Sequence, residues 1–130
     1  MAIEINDIES VAKATNLTFT ESNDWFKFYV DKQDHRFEVL VLKSGQYIFV
    51  QLFIEKREFP IEHIEFFSNE SITEILEELA YILNLLSQNE SRFTEKKNWF
   101  GTKMKAEIKE KEKWTLFGYP GNEVKRKAST

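Results

Sequence analysis

Three apolar segments, Trp25–Val30, Phe37–Leu42 and Tyr47–Ile54, follow one another with only short polar breaks between them. In the first, Phe26, Phe28 and Val30 alternate with Trp25, Lys27 and Tyr29, the period of a half-buried strand with an aromatic outer side. The second is apolar apart from Glu38 and the third almost wholly so, which puts both at the centre of a sheet. Asp31–Asp34 is a polar turn, and Gly45 after Ser44 supplies positive φ, so the two central strands join as an antiparallel hairpin. Phe59–Pro60 is expected to end this stretch, with a fourth strand over Ile61–Phe67.

Helical periodicity flanks the strands. Ile5, Ile8, Val11 and Ala12 recur at spacings of three and four, predicting a short helix over about 5–15 with Asn6 or Asp7 as its cap. Ser71-Ile72-Thr73-Glu74 fits a capping box, after which Ile72, Ile75, Leu76, Leu79, Leu83 and Leu86 share one face. That predicts a helix over 71–88, with Glu74, Glu77, Glu78 and Asn84 on its polar side. The last third is more ambiguous. Arg92–Phe100 reads as a strand turning at Gly101–Thr102. In Lys103–Leu116 alternation favours strand, whereas the four-residue spacing of Phe100, Met104 and Ile108 favours helix; strand is preferred. The expected architecture is one α+β domain over residues 1–120: an antiparallel sheet of five or six strands with both helices packed on it. Residues 121–130 are expected to be a frayed, basic tail.

A 130-residue chain with 42% hydrophobic and 15% aromatic content can build one real core, which excludes disorder for its body. There is no cysteine, hence no disulfide, thiolate catalysis or cysteine-based zinc site. No apolar run suits a bilayer, and the acidic start is unlike a secretory signal, so a cytoplasmic protein without membrane association is expected. Phe, Ile, Lys and Asn outnumber Gly, Pro and Ala 45 to 12, the codon bias of an AT-rich bacterium or its phage. Charge is polarised. Residues 1–90 hold 17 acids and 7 bases, and residues 91–130 hold 5 acids and 11 bases.

Enzyme signatures are missing. No nucleophile-elbow, phosphate-loop, metalloprotease or dinucleotide motif is present, and no cofactor is expected. Glu62, His63 and Glu65 resemble a metal cluster, but on a strand Glu62 points away from the other two, so no metal site is expected. Asp34–His35 reads as turn chemistry. Glu95-Lys96-Lys97 and Glu107-Ile108-Lys109 match the E-x-K element of nucleases without a convincing upstream Asp.

Binding is the stronger theme. Glu55, Glu58, Glu62, Glu65, Glu70, Glu74, Glu77, Glu78 and Glu90 would steer a basic partner if they converge. The aromatics Trp25, Tyr29, Tyr47, Phe49 and Phe53 occupy odd positions on neighbouring strands; they are expected to lie under the N-terminal helix or a C-terminal segment, and uncovered they would mark a partner or a homodimer. The expectation is a non-enzymatic protein-binding module, an inhibitor, immunity-type factor or chaperone-like adaptor. Glu74, Glu77 and Glu78 would set its approach to a basic or nucleic-acid-binding protein, and Trp25 and Tyr29 would anchor it. The alternative is single-stranded nucleic acid. Lys103, Lys105, Lys109, Lys111 and Lys113 would project from one side of a strand about 7 Å apart. Trp99, Phe100, Trp114, Phe117 and Tyr119 would stack on bases. Lys105, Lys109, Lys113 and Trp114 are its principal candidates.

Overall fold

The computed structural model describes residues 2–66, 71–99 and 101–124. Helix α1 (Ile5–Thr15) is followed by strands β1 (Phe19–Glu21), β2 (Trp25–Asp31), β3 (Arg36–Leu42), β4 (Tyr47–Ile54) and β5 (Arg57–Glu65). Helix α2 (Ile72–Gln88) then leads into β6 (Ser91–Asn98), β7 (Gly101–Glu110) and β8 (Lys113–Asn122). Every strand pairs antiparallel with its sequence neighbours, as a five-stranded meander and a separate three-stranded one. The fold is α+β with an N-terminal helix, as expected, but its strands are divided between two sheets.

Alternation decides which face of the large sheet is buried. Phe26, Phe28 and Val30 of β2 share a face with Phe37, Val39 and Val41 of β3 and with Ile48, Val50 and Leu52 of β4. Ile8 of α1 and Ile75, Leu79, Leu83 and Leu86 of α2 join them in one buried cluster, as do Met104, Ala106 and Ile108 of β7. Each of these side chains larger than Ala106, fully removed from water, is worth about 1.5–3 kcal/mol. The helices pack on each other and α2 on β2 and β3. Phe117 of β8 meets Phe37 edge-on, with ring centroids 6.2 Å apart, so the small sheet covers another part of the same inner face.

The helix termini follow their local chemistry. Ser71 Oγ accepts the Glu74 N–H at 3.2 Å and caps α2, the serine half of the expected capping box. On α1 the cap is Glu4, and Asp7 acts from the first turn by accepting the Glu4 N–H at 3.2 Å. Neither Asn6 nor Asp7 is itself the cap.

Four strand expectations change. The short β1 was not foreseen. Pro60 does not end a strand: β5 runs through it as an edge strand, and Ile61 is an extra residue against β4. Lys103–Leu116 is neither one strand nor a helix, because Lys111 and Glu112, both at positive φ, turn β7 into β8. Gly118 and Pro120 do not end the fold either. β8 continues to Asn122 against β5, and the Val124 N–H donates to the Glu58 carbonyl at 2.9 Å. Gly121 and Asn122, expected to fray, therefore belong to a strand; residues 125–130 lie outside the described ones. Among the described residues no helix is long and apolar enough to cross a membrane.

Candidate functional site

Among the described residues neither helix lies on the second face of the five-stranded sheet. Trp25, Tyr29, Leu40, Leu42, Tyr47, Phe49 and Phe53 stand half-buried on it, placed there by the strand alternation, odd positions in β2 and β4 and even ones in β3. Cations lie over two of these rings: Lys27 Nζ is 4.8 Å from the Trp25 centroid and the Arg36 guanidinium carbon 5.0 Å from that of Tyr29. Tyr29 is further fixed by a 3.0 Å hydrogen bond with Thr20 Oγ1. Towards β5, Tyr47, Phe49 and His63 stack with centroids 5.1–5.6 Å apart. A cleft of about 390 Å³ separates this stack from Tyr119 and Pro120. A second, of about 700 Å³, opens between Trp25, Leu40 and Phe53. At its floor Glu38, with an 8% exposed side chain, ion-pairs with Lys27 at 3.0 Å.

The acids expected to act with these aromatics lie elsewhere. Glu74 and Glu77 are exposed and Glu78 half-buried on α2, which packs against the inner face of β2 and β3. Trp25 and Tyr29 point from the outer face of β2, so the two groups occupy opposite sides of the molecule. The described acids do not share one face: Glu58 is buried on β5, Glu65 lies opposite Tyr47 on the outer face and Glu62 opposite Val50 on the inner one; Glu70 lies outside the described residues.

The three-stranded sheet collects the cations. Lys103, Lys105 and Lys109 share its outer face with Arg92 and Lys96 of β6, neither of which the sequence places among the nucleic-acid candidates. Trp114 faces Lys109 across the strands, and its ring lies 4.2 Å from the Arg92 guanidinium carbon. Lys113 does not join this face, because it pairs with Glu110 on the other one. Lys111 is in the turn. Phe117 is spent in the core beside Phe37, Phe100 lies outside the described residues, and Trp99 is 99% exposed. Lys96 sits directly opposite Lys103, and with Lys105 and Thr94 they line a cleft of about 400 Å³. Of the two E-x-K glutamates, Glu95 pairs with Arg57 at 2.9 Å and Glu107 with Arg92 at 3.0 Å.

A third arrangement is invisible in the sequence. His35, its side chain 2% exposed, leaves the β2–β3 turn and is held edge-on by Phe37 and Phe93 at 5.3 and 5.4 Å. Its Nδ1 lies 2.7 Å from Asp34 Oδ1 and its Nε2 2.7 Å from Ser91 Oγ. The three residues border a polar cleft of about 960 Å³. On its wall Lys32 Nζ donates to the Asn89 carbonyl at 2.8 Å, and burial pushes that ammonium below the ordinary lysine range. His63 and Glu65 do share the outer face, opposite Phe49 and Tyr47, while Glu62 faces inward opposite Val50. Among the described residues no three His, Cys, Asp or Glu gather as metal ligands.

Comparison with protein-family models, curated proteins and solved structures finds no match to this chain.

Proposed function

We propose that this chain is a protein-binding module of a bacterium or its phage, acting in the bacterial cytoplasm, that captures its partner on the aromatic outer face of the five-stranded sheet. One observation carries the reading: seven large apolar side chains of β2, β3 and β4 share that face with neither helix over them. An aromatic-rich sheet face that no helix covers suits an interaction surface. Aromatics anchor such contacts best, because they bury large area for few frozen rotors. Lys27, Glu38 and Arg36 among the rings give the face a polar pattern for selecting a partner. Glu74, Glu77 and Glu78 influence approach at long range only, since they lie on the other side.

The test is affinity capture from source-cell lysate, treated with nuclease, using wild type, F49E/F53E and E74K/E77K/E78K. The expected result is one stoichiometric protein retained by wild type and by the helix variant but lost with F49E/F53E, whose melting temperature stays close to wild type. Retention by F49E/F53E would remove the face from the mechanism. A wild-type chain that elutes as a dimer, and as a monomer after F49E/F53E, would make a second copy the partner.

The cationic sheet supports a second reading, single-stranded nucleic acid. Like charges directly opposite on a sheet repel, and Lys96 and Lys103 form such a pair with Thr94 and Lys105 beside them. A bound phosphate would relieve the repulsion. Retention on a single-stranded oligonucleotide should then fall steeply with salt, and K96E/K103E should abolish it. Equal retention by that variant excludes this face.

A further inference from the structure

We propose that Ser91, His35 and Asp34 form a nucleophilic relay that cleaves small carboxylic esters in the polar cleft beside them. The tautomer follows from the partners. An ionised carboxylate only accepts hydrogen bonds, so the 2.7 Å contact to Asp34 places the proton of neutral His35 on Nδ1. Nε2 then presents its lone pair, and the Ser91 hydroxyl donates to it across 2.7 Å. This is the order nucleophile, base, orienting carboxylate in which serine is activated by an adjacent imidazole. Phe37 and Phe93, each steeply inclined to the imidazole with centroids 5.3 and 5.4 Å away, pack it in that orientation.

The surroundings fit a reacting site. Ser91 is part-exposed at the cleft, and Asp34, 72% exposed, lies at the surface beside it. Lys109 N–H donates to the Glu90 carbonyl, so Ser91 and Ile108 face each other in a pair that exchanges no ladder bonds. The Ser91 amide therefore points off the free edge of β6, as a donor for an oxyanion formed at its own side chain.

In the first step Ser91 Oγ bonds to the ester carbonyl carbon while its proton passes to His35 Nε2. The carbonyl pair moves onto oxygen. Its return breaks the bond to the leaving alcohol, which takes the proton from Nε2. Water then attacks the acyl-serine with His35 accepting its proton. Collapse releases the carboxylic acid and returns that proton to Ser91 Oγ.

The full chain is treated with a fluorophosphonate probe and mapped by mass spectrometry, while hydrolysis of p-nitrophenyl acetate is followed in parallel. The expected outcome is an adduct on Ser91 and hydrolysis that falls about 100-fold or more in S91A, the scale of a lost nucleophile–base pair. Asp34 is a positioning residue. D34N, at an exposed position, should keep the fold, lower the rate and displace the pH–rate profile. No adduct on Ser91 in the folded protein, or hydrolysis unchanged by S91A, overturns the proposal. So does a D34N profile identical to wild type.

Discussion

Two glycines decide how closely the second sheet can approach the first. A Cβ added to Gly121 would lie 1.9 Å from the Pro60 carbonyl oxygen, and one on Gly118, at φ +68, would lie 2.0 Å from that of Ile61. Both neighbours are backbone, which yields less readily than a side-chain tip. Gly121→Ala should therefore destabilise by about 1–3 kcal/mol, the usual cost of overpacking, read as a lower urea midpoint. The same seam carries a charge clamp. Arg57 donates to Glu95 and to Glu123, both at 2.9 Å, tying β5 to β6 and to the end of β8. The hydrogen bond from Arg57 holds the Glu95 carboxyl below its ordinary range. A carboxylate depressed by folding stabilises above its unfolded pKa, and that contribution disappears as pH falls through the folded value. Wild type should therefore lose more stability than E95Q between pH 6 and pH 3, in paired urea titrations. None of this was legible in the sequence, where residues 121–130 read as a frayed tail and Arg57 and Glu95 stand 38 positions apart. His35 and Ser91, separated by 56, were hidden for the same reason. Residue patterns report local period, whereas these contacts are made by the packing of two sheets.

Elements with one strong period were the legible ones. Helix α2 has a Ser71 cap and a leucine stripe, and both behave as their pattern requires. Leu83→Ala, fully buried, should cost about 2–5 kcal/mol, and Ser71→Ala about 1 kcal/mol. Both should appear as lower melting temperatures. Strands β2, β3 and β4 were equally readable because each buries one full face. The failures share a cause. Pro60, Gly118 and Pro120 are turn formers by propensity, yet all three sit within edge strands, where a missing donor or side chain is tolerated. The lysine row failed differently. Assigning Lys103–Leu116 to one strand placed Lys109 and Lys113 on the same side, but the turn at Lys111–Glu112 folds the row back and sends Lys113 to the other face.

At the scale of the molecule, one buried cluster joins three layers of different character. The large sheet has an aromatic outer face, α2 carries Glu74 and Glu77 outward, and the small sheet displays lysines. The acidic helix and Trp25 and Tyr29, expected to act together, lie on opposite sides of a layer of core. Stability should be graded in the same way. Strands β3 and β4 have neighbours on both sides and buried inner faces, so their amides should exchange slowest with deuterium. Exposed residues 95–99 at the β6–β7 tip should exchange fastest. The way β8 closes over β5 also bears on synthesis. Residues 57–65 leave the ribosome well before residues 118–124, so a nascent chain holds a finished sheet edge with nothing yet laid over it. Such waiting edges recruit strands from other chains. Pro60, with no N–H to offer, and the bulge at Ile61 make this one a poor template during that interval.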